Sequence, residues 1–172
     1  WANRDTYMNR ILIIDDTHER AAWLKASLEL AGYQVAQVLD WPSVTEQRIQ
    51  SAQADVVIVD ANAPGRDMLE HISMMSGKME RPVVVLGGQD DQASVTEALR
   101  AGVSAYISHD IQSEDIAPIL RVATARFAEY KRLRDELKEA RSQLAERKLV
   151  DRAKGILMAE HGYGEPDAYN LM

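Results

Sequence analysis

The sequence predicts an α/β fold: a five-stranded parallel doubly wound domain, followed by a long coiled-coil helix and a partial small helical domain. Three observations predict it. The runs ILII at 11–14, VVIV at 56–59 and VVVL at 83–86 are continuously apolar, as in strands covered on both faces. Helical patterns separate successive runs, and strict alternation with short connections implies parallel strands and right-handed crossovers. From Ile119 onward neither proline nor glycine interrupts the chain before Gly155.

Each element has its own justification. Ile11–Ile14 is a buried strand bounded by Asp15-Asp16. His18–Ala31 carries Ala21, Ala22, Leu24, Leu28 and Ala31 at helical spacing, with Gly32 at the C-cap position. Tyr33–Val38 reads as the second strand and Ser43–Gln53 as the second helix. Val56–Val59 is the third strand, ending on Asp60; a helix over 65–76 follows, with Gly77 near its end. Pro82 opens the fourth strand, Val83–Leu86, and Gly102 caps a helix over Ala93–Ala101. Ala105–Ser108 is the fifth strand, and the long helix begins near Ser113–Asp115, with Pro118 deep for a first turn. That helix ends at Gly162 or Gly164, and another starts around Glu165-Pro166. A two-turn amphipathic helix cannot bury its face alone, so the chain is read as stopping inside a small helical module.

Composition sets the outer bounds. The 172 residues are 46% apolar and 27% charged, as in ordinary globular proteins. Cysteine is absent, which excludes disulfides and thiolate metal sites and fits a reducing cytoplasm. No apolar run reaches the ~18 residues of a membrane span, and WANRDTYMNR lacks the apolar stretch of a signal peptide. The net charge of −7 divides unevenly. Residues 1–118 hold 9 Lys/Arg against 18 Asp/Glu, whereas residues 119–172 hold 11 against 9. Contact with a polyanion, if any, therefore belongs to the second part.

Tyr130, Leu133, Leu137, Ala140 and Leu144 recur at spacings of 3, 4, 3 and 4. That is a heptad seam and predicts a homodimer through a coiled coil. The helix is too long for so small a domain, since ~40 residues span about 60 Å. Arg147, Lys148, Arg152 and Lys154 cluster within eight residues, suited to phosphate contacts or, equally, to a solvated helix face. Asp151 is expected to pair with Lys148 or Lys154, and Tyr169 to pack with Leu157 and Met158. His18, His71 and His161 show no metal-ligand spacing, and Met74 and Met75 read as gap-fillers.

In a doubly wound fold the chemistry sits at the carboxyl ends of the strands, here Asp15, Asp16, Asp60, Gly87 and His109. Three converging carboxylates repel one another unless a cation neutralises them, and Mg²⁺ suits oxygen ligands. A carboxylate on a strand end beside such a metal can attack a phosphoryl group. No catalytic residue is assigned, no enzyme activity is expected, and no cofactor is required beyond the possible Mg²⁺.

On these residues the chain resembles, over 10–118, the receiver (flavodoxin-like) domain of bacterial two-component response regulators. The resemblance implies that Asp60 is at the phosphoacceptor position and that Asp15, Asp16, Asp60 and the carbonyl of Asn62 are possible Mg²⁺ ligands. Two switch positions are altered. Gly87 stands where the family has Ser or Thr, His109 where it has Lys, and Asp110 where a Pro normally follows. Glycine offers only an N–H, and imidazole replaces a fixed positive charge. The expectation is a pseudo-receiver controlled by protein contact; the alternative is residual phosphorylation at Asp60.

The C-terminal stretch RKLVDRAKGILMAEHGYGEPDAYNLM, residues 147–172, resembles the start of an ANTAR domain, the RNA-binding output of AmiR/NasT-type antitermination regulators. Residues 119–146 then form the coiled-coil linker. The resemblance implies binding of leader-RNA hairpins through Arg147, Lys148, Arg152 and Lys154. It also implies sequestration by a ligand-sensing regulatory partner. A DNA-binding regulator and a pure dimerisation scaffold remain the competing classes.

Overall fold

The computed structural model describes residues 10–15, 17–61, 81–88 and 92–170, together with Met68, Glu70 and Ile72. Five strands form one sheet: β1 (Arg10–Ile14), β2 (Gln34–Leu39), β3 (Val56–Ala61), β4 (Val83–Gly87) and β5 (Ala105–Ser108). Their order is β2-β1-β3-β4-β5 and every pairing is parallel. The reversal between β1 and β3 leaves a crevice at the carboxyl ends of those two strands.

Side chains alternate across the sheet. Ile11, Ile13, Val56, Ile58, Val84 and Leu86 pack on one face against Leu24, Leu28, Ile116, Leu120 and Ala123. Leu12, Ile14, Val57, Val59, Val83 and Val85 pack on the other with Ile49, Ile72 and Ala98. Burying each branched side chain contributes roughly 1.5–3 kcal/mol. Continuous apolar strands are thus explained by two covered faces. On the first face lie helix α1 (His18–Leu30) and the opening turns of helix α4 (Ser113–His161). A partly buried hydrogen bond between the Ser27 and Ser113 hydroxyls, 2.8 Å, ties them together.

Helix α1 ends as its sequence predicts. Gly32 adopts φ 88°, and the Tyr33 N–H donates to the Leu28 carbonyl at 2.9 Å while the Gly32 N–H donates to that of Glu29 at 3.1 Å. The second helix is shorter than predicted. Trp41–Ser43 forms a 3₁₀ turn, and α2 spans only Glu46–Ser51, because Thr45 caps it by accepting from the Arg48 N–H. Helix α3 covers Gln92–Arg100. Of the helix predicted over 65–76, Met68, Glu70 and Ile72 are helical and Ile72 is fully buried. The rest of it, with His71, Met74, Met75 and Gly77, lies outside the described residues. Pro118 falls inside α4, which begins at Ser113, so the proline removes one early backbone bond and the helix continues past it.

The chain divides into two compact units that meet between Ala128 and Glu129. The second contains the remainder of α4 and helix α5 (Glu165–Asn170). Gly162, at φ 68°, separates them. Ala168 is the residue α5 buries, whereas Tyr169 is 66% exposed. A helix this short turns only one narrow stripe inward, and the small alanine occupies it.

Candidate functional site

The sheet register assembles the first site. Asp60 is in β3 opposite Leu86, Ala61 opposite Gly87, and Gly87 opposite Ser108. His109 follows β5, and its N–H donates to the Gly87 carbonyl at 3.0 Å. The strand ends therefore bring Asp60, Gly87 and His109 together, as the sequence predicts. Asp15 follows β1, is 5% exposed, and accepts the Thr17 N–H through Oδ1 at 2.6 Å. Asp16 and Asn62 lie outside the described residues. Among those described, no group of three or more acidic or histidine side chains is placed to hold a metal.

Both oxygens of the Asp60 carboxylate, itself buried, are engaged. His109 Nε2 stands 2.7 Å from Oδ1, and Arg20 Nε donates to Oδ2 at 2.5 Å. Arg20 Nη2 also donates to the His109 carbonyl at 3.2 Å, so one guanidinium joins α1, β3 and the turn after β5. The Trp23 ring lies 6.0 Å from the guanidinium carbon. Arg20 was not singled out by motif. Its signal is positional: it sits in the first turn of a helix that starts three residues beyond Asp15, at the same edge of the sheet. Thr17, Glu19, Arg20, Trp23, His109 and Asp110 border an open groove here.

Gly87 has a steric cause. A Cβ placed on it would overlap the hydroxyl and ring of Tyr106, the side chain that packs against the adjoining core. The space that a Ser or Thr would need is filled by the phenol. The glycine and the inward tyrosine therefore come as a pair, and Tyr106 is the second residue whose role the sequence left unread.

The second site is on α4. Arg147, Lys148 and Arg152 are exposed. Lys154 differs, because its ammonium donates to Glu165 Oε1 of α5 at 2.6 Å. The hydrogen bond and charge of Glu165 raise the Lys154 pKa, and the same contact lowers that of Glu165. Asp151 also favours the charged Lys154, though less, while Arg147 opposes it. Lys154 thus pairs with α5 rather than with Asp151. Along the seam Tyr130, Leu133, Leu137 and Leu144 are 63%, 51%, 52% and 54% exposed, and Ala140 is exposed too. Four large apolar side chains in one exposed line are unusual on a solvated helix.

Known proteins match both parts of the chain. The response regulator receiver domain matches residues 11–121, and the ANTAR domain matches residues 138–172. The transcriptional regulatory protein PdtaR of Mycobacterium tuberculosis is 32% identical over 160 residues, covering 93% of this chain and 78% of that protein. KdpE of the same species is 27% identical over 119 residues, covering 69% of this chain and 52% of that protein. Among solved structures, a CheY-like receiver domain protein from Methanospirillum hungatei JF-1 superposes with a TM-score of 0.59 at 19% identity, covering 72% of this chain and 98% of that one. The N-terminal receiver domain of Klebsiella pneumoniae RstA gives 0.58 at 24%, covering 67% and 98%. No described helix is long and apolar enough to cross a membrane.

Proposed function

This chain belongs to the response regulators in which a receiver domain is followed by an ANTAR domain, and from that premise we infer that it is an antitermination regulator gripping leader-RNA hairpins. The observation that carries the reading is the exposed cationic strip Arg147, Lys148 and Arg152 inside the ANTAR match. Guanidinium and ammonium groups bind phosphates, and RNA loops add stacking on arginine. The receiver serves as the handle for a regulatory partner that senses a small ligand and sequesters the protein.

Dimerisation through the exposed seam completes the reading, and the charges flanking it support a parallel pair. Glu129 and Glu136 border the seam on one side, Arg134 and Arg141 on the other. Side by side and in register, each glutamate reaches the arginine five residues further along the partner copy. An antiparallel pair would set glutamate against glutamate and arginine against arginine. In the single chain Glu129 and Glu136 both turn to Arg132, at 2.7 and 2.5 Å. Two RNA-binding modules then lie together, which raises the effective concentration for paired hairpins.

The test is binding of the protein to leader hairpins and to duplex DNA at equal salt. Preference for the hairpin, lost on replacing Arg147, Lys148 and Arg152 with alanine, is expected; equal or better binding to duplex DNA would overturn the RNA reading. Asp60 supports a second reading, activation by phosphorylation. Labelling with a small phosphodonor, abolished by Asp60→Ala, would establish it in place of control by contact.

A further inference from the structure

The receiver family implies a divalent cation at the acidic strand ends, and the Asp60 carboxylate, engaged as it is, does not fit one. Magnesium requires carboxylate oxygens at about 2.0–2.1 Å in near-octahedral array. Asp60 presents no oxygen without a nitrogen on it: Arg20 Nε is 2.5 Å from Oδ2 and His109 Nε2 is 2.7 Å from Oδ1. Asp15 Oδ1 already accepts the Thr17 amide. A dication bonded to Oδ2 would stand within a few ångströms of a guanidinium that never deprotonates.

We propose that Arg20 is a resident cation that takes the place of the divalent metal at Asp60, so that metal and Arg20 compete for the same carboxylate. Several features hold it there. Its position in the first turn of α1 sets it at the mouth of the crevice. Nη2 is fixed by the His109 carbonyl at 3.2 Å, and Trp23, one turn further on, lies near the guanidinium. The Arg20 side chain is 26% exposed and that of Asp60 3%, so the pair is partly withdrawn from water and only partly screened. The carboxylate needs a counter-charge because it is buried, and the chain supplies that charge covalently. The charge of Asp60 is balanced without any ion from solution. Small phosphodonors that depend on a bound dication would lose that Lewis acid at the same stroke. This deepens the reading of the receiver as controlled by protein contact, and it is independent of the RNA reading.

The experiment is a Mn²⁺ titration of the whole chain, with free metal counted by electron paramagnetic resonance. The wild-type protein should show no saturable binding up to millimolar metal. Arg20→Gln, which keeps a hydrogen-bonding nitrogen at the position of Nε but removes the charge, should bind. The gain should be between about tenfold and a thousandfold, the range for a unit charge a few ångströms away in a partly buried site. Adding Asp60→Asn to that variant should abolish the gain. Arg20→Ala is the parallel variant, and circular dichroism confirms that each is folded. Saturable binding by the wild type overturns the proposal whatever the variants do. So does the absence of any gain in both Arg20 variants, or a gain that survives Asp60→Asn. Phosphodonor labelling is read separately: wild type that excludes Mn²⁺ yet is labelled at Asp60 sinks control by contact while leaving the resident cation in place.

Discussion

In the receiver unit, the charged groups at the functional edge have already found one another. Asp60 is 5% exposed and has a side-chain nitrogen against each oxygen, and the place of a switch hydroxyl is filled by Tyr106. The helical unit is the reverse: Arg147, Lys148 and Arg152 point to solvent, and a line of large apolar side chains is more than half exposed. One unit has satisfied its chemistry internally and the other has left it open. A closed pocket yields only to something that pries its contacts apart, whereas an open face is completed by whatever covers it. The contrast separates the two units without reference to any ligand.

The largest expected effect breaks the open side. Leu137→Lys with Leu144→Lys removes from each copy two leucines that a seam dimer would bury. At roughly 1.5–3 kcal/mol for each leucine, a dimer loses about 6–12 kcal/mol across its four sites. Sedimentation should show the mass fall to that of one chain. An unchanged mass would mean that the seam is not an interface. Reversing Glu136 to Arg and Arg141 to Glu together should retain the dimer, because the interchain pair is only exchanged.

The closed side breaks at Gly87. A threonine there collides with Tyr106, and overpacking of this kind typically costs about 1–3 kcal/mol. The double change Gly87→Thr with Tyr106→Ala should be less harmful than the two single changes added, with a coupling of about 0.5–3 kcal/mol in urea denaturation. Strict additivity would show that the ring does not occupy that space.

The sheet was legible because its strands are continuous apolar runs that end on punctuating residues, and Asp60, Gly87 and His109 were legible because strand ends converge in any doubly wound fold. Arg20 and Tyr106 were not. Each acts through a long side chain reaching across the edge, and spacing along the chain carries no record of where a guanidinium or a phenol finally rests. The short α2 was misjudged for a related reason. The apolar residues of 43–53 fit a helix, but Pro42 and the cap at Thr45 decide where it can begin. Lys154 looked like its neighbours in sequence because its partner, Glu165, comes from another helix.

A smaller effect distinguishes the cations of α4 from one another. If Arg147, Lys148 and Arg152 each neutralise one phosphate, replacing any one with alanine should lower the slope of log affinity against log salt by about 0.7–0.9. Lys154→Ala should change the slope least, since Glu165 already meets that ammonium.

The smallest effect concerns the Lys154–Glu165 pair itself, which is exposed and screened by salt. The folded contact lowers the Glu165 pKa, so its stabilisation is present above the ordinary carboxylate value and is lost as pH falls through the lowered one. For Lys154 the pKa is raised, so its share is complete below the ordinary lysine value and disappears as pH rises through the higher one. Between those limits the pair holds α5 against α4 without dependence on pH. Carboxyl-carbon resonances of Glu165 should titrate at a higher pH in Lys154→Ala than in the wild type, moving back toward an ordinary glutamate. Glu165→Gln releases the same lysine from its partner, and the salt slope for hairpin RNA should then steepen by up to one phosphate's worth. A titration midpoint unmoved by Lys154→Ala would mean that the two side chains do not meet in solution, and Lys154 would then belong with the open cations after all.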